Sequence, residues 1–145
     1  MNTTIDCREI IATVGDAIIA ADAKGAIRLW NAAAAQMFGY SEEEALGQSL
    51  DLIIPERLRK RHWEGYDKTM ATGTTRYGND VLRVPATHKD GRAMSIAFTV
   101  AMLFTPAGEV SAIVAVMRDE TTRVTEDRAL KKRLAELEAR VSATG

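Results

Sequence analysis

Asn31-Ala-Ala-Ala-Ala-Gln-Met-Phe-Gly-Tyr-Ser-Glu-Glu-Glu-Ala-Leu-Gly47, followed by Ile54-Pro55-Glu56-Arg57, is the stretch that decides the fold. A short strand, Ala26 to Trp30, runs into it. Ala32 to Ala35 open a helical turn of small residues, and Gly39-Tyr40-Ser41 breaks it. Glu42, Glu43 and Glu44 begin a second short helix, where carboxylates oppose the helix dipole. Gly47 closes it into a loop. A row of interrupted helices is a poor rigid support. It reads as a lid over a cavity, with small residues leaving room beneath it, and a covered cavity points to sensing.

Working outward, Ile5 to Val14 has apolar residues at helical spacing, with Asp6 as its cap. Asp16 to Asp22 is an apolar strand that turns through Ala23-Lys24-Gly25 into the strand ending at Trp30. Pro55, whose missing N–H is harmless at a helix start, opens a helix over Glu56 to Ala71 that Gly73 ends. The second half reads as a three-stranded antiparallel meander. Asp80 to Thr87 is demoted to an edge by Pro85. Arg92 to Phe104 alternates, with Met94, Ile96, Phe98, Val100, Met102 and Phe104 on one face. Glu109 to Arg118 is apolar on both faces and belongs in the centre of the sheet.

Past Asp119, Leu130, Leu134, Leu137 and Val141 form a short heptad seam among alternating Lys, Arg and Glu. It fits a dimer contact or a surface helix folded back on its own domain. Val124 and Ala129 sit poorly on the seam, which makes the first turn a linker, and Val141 to Gly145 is expected to fray. The expected organisation is a cap over residues 1–15, a domain over 16–119 and an exit helix over 120–145.

The 145 residues suit one compact domain, and a net charge of −1 argues against a nucleic-acid or disordered chain. No apolar run approaches the roughly 20 residues of a membrane span, and the N-terminus lacks signal-peptide blocks. The single cysteine, Cys7, makes no internal disulfide, so a cytoplasmic home is expected. No Gly-x-Ser-x-Gly, His-Glu-x-x-His or phosphate-cradling loop is present, and catalysis is not expected.

The order strand, strand, three helical pieces, three strands and an exit helix gives an α+β fold: a five-stranded antiparallel sheet with helices over one face. Here the chain resembles the PAS domain family. The resemblance rests on Asp22-Ala-Lys-Gly-Ala-Ile-Arg-Leu-Trp-Asn31, Phe38-Gly-Tyr-Ser-Glu-Glu43, Gly47, Ile54-Pro55, His88-Lys-Asp-Gly91 and Arg118-Asp119-Glu-Thr121, and covers about residues 5–122. It implies signal transduction: a ligand or cofactor in the pocket, dimerisation, and strain passed to the helix beyond Asp119-Glu120-Thr121. The implied partners are a second copy of the chain and a downstream kinase or transcription regulator, with neither direct nucleic-acid contact nor a membrane. With no kinase, cyclase or DNA-binding module following, a stand-alone sensor or adaptor, or a piece of one, is expected. The alternative is a ligand-free PAS interaction module.

Light-oxygen-voltage photosensors and photoactive yellow proteins need a thiol over the sheet or at the chromophore, and Cys7 lies in the leading helix. The helix after Pro55 is the remaining clue. Leu58, His62, Trp63, Tyr66, Thr69 and Met70 share one face, with Arg59 its misfit. Arg57 to Tyr66 resembles the corresponding helix of heme-PAS oxygen sensors, which implies heme with His62 as axial iron ligand. The family's arginine on the next strand falls near Arg83, although strand parity turns Leu82 inward instead. Met94, Met102 and Met117 are candidate sixth ligands, set against the ordinary use of methionine as core filler. The expected cofactor-binding set is His62, Tyr66, Leu58, Leu82, Arg83, Ile96, Phe98 and Met117. Against it stands the reading of His62 as a core histidine bonded to Tyr66 or to a carbonyl. His88, in a turn, is expected to face solvent, and the basic run from Arg57 is expected to be a solvated helix face.

Overall fold

The structure is a computed structural model that describes residues 4–75 and 80–144. The first three residues of the expected cap and Gly145 lie outside that set.

Five strands form one antiparallel sheet: β1 (Ala17–Asp22), β2 (Ile27–Trp30), β3 (Leu82–Thr87), β4 (Ala93–Phe104) and β5 (Val110–Asp119), in the order β2-β1-β5-β4-β3. The doubly apolar β5 lies at the centre. The proline-bearing β3 takes an edge, where Pro85 faces only one neighbour.

Register sets the faces. Ala17 lies opposite Met117 and Ile19 opposite Ala115, while Met117 lies opposite Phe98 and Phe98 opposite Leu82. These side chains therefore share one face of the sheet. The helices α2 (Ala32–Phe38) and α3 (Glu42–Ala45) lie over it, with Ala33, Ala34, Phe38 and Ala45 buried. Ala34 is fully buried, so the small residues bring the helix backbone close to the sheet instead of leaving room beneath it. The Gly39 break is a left-handed cap of α2, and Ser41 and Glu44 form a reciprocal capping box at α3.

Asn31 welds the start of α2 to β1. Its Oδ1 accepts from Ile18 N (2.9 Å) and Ala34 N (3.0 Å), and its Nδ2 donates to Ile11 O (2.8 Å) and Asp16 O (3.1 Å). All the hydrogen-bonding capacity of a side chain only 6% exposed is thereby used. Through Ile11 it also holds the leading helix α1 (Cys7–Thr13), capped by Asp6.

Two helices differ from expectation at their starts. After Pro55 the chain makes a 3-10 turn, Glu56–Leu58, before α4 (Arg59–Thr72), which ends on Gly73. The exit helix α5 runs unbroken over Thr121–Thr144, with no linker turn. It has no buried residue, so it does not fold back on the domain.

Candidate ligand site and signal-exit junction

Helix α4 is moored by aromatic and guanidinium groups. Arg59, the misfit of the apolar arc, donates Nε to Ile54 O (3.1 Å) and Nη2 to Asp51 O (3.2 Å). Trp63 Nε1 donates to Asp51 Oδ1 at 2.7 Å. Its indole lies on Gly25 (φ 83°), where an added Cβ would stand 2.2 Å from the ring. The Tyr66 hydroxyl donates to Asp22 O at 2.5 Å. The Asp22 carboxylate in turn holds the hairpin through Lys24 N, Ala26 N and Arg28 Nε. Thus α4 is fastened to the β1–β2 turn and to the Asp51 turn. The contiguous core of buried residues that runs from Ala17 to Met117 takes in no α4 residue.

His62 sits within this mooring. Its ring meets Trp63 edge-on at 4.7 Å between centroids and Tyr66 at 5.7 Å. Its Nδ1 is buried and has no hydrogen-bond partner among the described residues, neither Tyr66 nor a carbonyl. A buried unsatisfied polar atom costs about 1–3 kcal/mol, so a core histidine held by hydrogen bonds is not what this ring is. Burial pushes its pKa below the ordinary value, against the opposing charges of Asp51 and Asp67, which favours a neutral imidazole. Burial, then Asp22 and Asp67, push Tyr66 up to about 12, so it remains a phenol.

The expected site residues divide by position. Leu82, Phe98 and Met117 lie side by side across three strands, and Ile96 shares their face. His62 and Tyr66 lie on α4, and half-buried Leu58 ends the turn before it. Arg83 is not brought to them. It projects from the opposite face and pairs with Glu120 at 3.4 Å, because side chains alternate along β3. His88 also departs from expectation: its side chain is largely buried against Gly39, and its Nδ1 accepts from Asp90 N at 3.1 Å. Sequence reasoning missed Asp51 and Gly25 as anchors of Trp63. The signal was Trp63 itself, an indole on the apolar arc whose N–H needed an acceptor.

The signal-exit junction is tightly bonded. Asp119 Oδ1 accepts from Thr121 N (2.9 Å) and Thr121 Oγ1 (2.5 Å). Ser95 N donates to Thr121 Oγ1 (3.0 Å), and Glu120 N donates to Ser95 O (2.8 Å). The first turn of α5 is therefore stitched to β4 as well as covalently joined to β5.

These residues fit a heme in part. The unpartnered imidazole of His62, among apolar and aromatic neighbours, is a suitable iron donor. Arg83 is unsuitable, since it lies across the sheet. Among the described residues no three or more His, Cys, Asp or Glu gather as a metal site. None of the described helices is long and apolar enough to cross a membrane.

An open antiparallel sheet, roofed on one face by short helices and continued from its central strand into a long helix, defines the class: an α+β domain with one covered sheet face. The family model for the PAS fold matches residues 6–119, and the chain belongs to the PAS family. An uncharacterized protein of Azorhizobium caulinodans is 33% identical over 126 residues, 86% of this chain and 17% of that protein. The sensor protein FixL of Bradyrhizobium diazoefficiens is 46% identical over 55 residues, 38% of this chain and 11% of FixL. The chain thus spans less than a fifth of the length of these relatives. Among solved structures, the PAS domain of a protein from Colwellia psychrerythraea superposes with TM-score 0.69 at 22% identity, covering 79% of this chain and 94% of that one. An RNA-binding light-oxygen-voltage receptor superposes with TM-score 0.68 at 20% identity, covering 88% and 36%. These likenesses are of fold.

Proposed function

We propose that this PAS domain senses a small ligand held between α4 and the roofed face of the sheet, and relays its presence through β5 to an α5 that pairs with a second copy. The observation that carries the reading is the buried, unpartnered Nδ1 of His62 on a helix moored outside the contiguous core. A ligand with an apolar body and one polar group, or one iron coordination position, would satisfy that nitrogen. Leu82, Ile96, Phe98 and Met117 supply the apolar wall opposite. A heme would be held by His62 and would supply gas-binding iron chemistry. The likeness to a sensor protein over 55 residues is in keeping with this reading.

The protein residues do the rest. Trp63 and Tyr66 fix the His62 ring, and the Asp51 and Asp22 anchors fix α4 against the hairpin. Occupancy that shifts α4 or the sheet wall biases a two-state arrangement of the exit helix. No chemical turnover is proposed. A cytoplasmic setting, with a kinase or a transcription regulator downstream, completes the reading.

The test is to purify the full chain with and without a heme supply. An intense Soret band that is lost in His62→Ala assigns heme. A colourless protein whose extract yields an apolar small molecule by native mass spectrometry, absent from His62→Ala, assigns that ligand instead. A chain that retains nothing under either condition and binds no hemin overturns the ligand reading and leaves an interaction module.

A further inference from the structure

We propose that Arg83 is a positioning residue of the relay: through its ion pair with Glu120 it ties the edge strand β3 to the root of α5. The inference rests on the sensory reading above and gives the edge strand its own route to the exit helix. Leu82 and Arg83 are consecutive on β3, and alternation sends them to opposite faces. Leu82 lies against Phe98 in the row that runs through Met117 to Ala17. Arg83 reaches Glu120 at 3.4 Å on the other face. A shift of β3 felt at Leu82 is therefore carried at once to Arg83.

Glu120 is placed to receive it. Its side chain is only 17% exposed, against 61% for Arg83, so this carboxylate is shielded and needs its cations. The same carboxylate also meets Arg123, one turn into α5, at 3.4 Å. Its own N–H is tied to Ser95 O, and the next residue, Thr121, accepts from Ser95 N. Arg83, Glu120 and Arg123 thus form a chain of charge from the edge strand to the first turn of α5. Arg83 and Glu120 border a groove of about 280 Å³ on the open face, which Asp16 and Arg118 also line. Asp16 and Arg118 pair with each other at 2.9 Å. That second pair joins β5 to the segment before β1 and does not involve α5.

The experiment needs no ligand, so its outcome is separate from that of the ligand test. Leu82→Ala serves as the input on the roofed face. Amide exchange of Thr121 to Val124 in the full chain is the readout. In the otherwise native chain, Leu82→Ala should speed this exchange about two- to fivefold, the range open to a partly exposed ion pair. The increment should vanish when Arg83→Ala or Glu120→Gln is already present, and in 1 M salt. It should return when all three charges are swapped, Arg83→Glu with Glu120→Arg and Arg123→Glu, and it should survive Arg118→Ala. An increment of the same size in every background, or no increment from Leu82→Ala in the native background, overturns the proposal. The charge swap keeps the test valid if either single variant is too unstable to read.

Discussion

The residue on which most of the local architecture converges is Asn31. Its amide bonds β1, α2 and the segment around α1 at once. Asn31→Asp keeps the acceptor that Ile18 N and Ala34 N need. It turns the second oxygen, in place of the NH2, toward two carbonyls. Two donors are lost and two acceptors are left facing a carboxylate. The expected loss is about 3 kcal/mol, read as a fall in the urea midpoint at unchanged slope. His62 makes a prediction of pH dependence. Its folded pKa lies below the ordinary 6.5, so between those values the unfolded chain binds the proton and the folded chain does not. Stability is then greater above the ordinary histidine range and falls as pH drops through it toward the folded pKa. Thermal midpoints taken at pH 7.5 and 5.5 should separate more in the native chain than in His62→Gln. Asp22, Glu44 and Asp90, whose carboxyls are held low, titrate below this window, so they do not mask it.

Among the elements, α4 depends on a fit that no single residue announces. Gly25 is needed twice, for its φ of 83° and because the Trp63 indole occupies the place of a Cβ. Gly25→Ala should lift Trp63 off the hairpin, break its bond to Asp51, and cost about 2 kcal/mol from the left-handed backbone alone. Trp63 emission should shift to the red while buried Trp30, bonded to Tyr40 O, stays as it is. The β-elements were legible in the sequence, because alternation in β4, doubled apolarity in β5 and Pro85 in β3 each follow from burial and hydrogen bonding. The α4 arc was legible as well. Less visible was what lies between elements far apart in sequence. The Asp51–Trp63 bond joins groups that no periodicity relates, and neither does the packing of His88 on Gly39. The 3-10 turn before Arg59 was hidden because Pro55 suits either helix at its start. Alternation did place Leu82 and Arg83 on opposite faces, and it is the motif resemblance that drew Arg83 toward the pocket.

For the whole molecule, α5 sets the decisive question, since a helix of 24 residues stands clear of the domain. Leu130, Leu134, Leu137 and Val141 are 42–71% exposed along one seam. Only local support remains: the i,i+4 pair of Lys131 with Asp127 and the i,i+3 pair of Arg133 with Glu136. Such pairs give about 0.2–0.5 kcal/mol each, a small share beside the packing of an apolar face that supplies most helix stability in proteins. Burying the seam would stabilise the helix, each leucine so covered gaining about 1.5–3 kcal/mol. Light scattering at rising concentration should therefore give the mass of two chains, with helicity that grows as the pair forms. Removing residues 124–145, or replacing Leu134 and Leu137 together by Lys, should give single chains that keep the sheet and lose the added helicity. A full chain that stays single at every concentration while α5 remains helical would refute self-pairing. The seam would then be a surface for a different protein, and the relay would end on that partner.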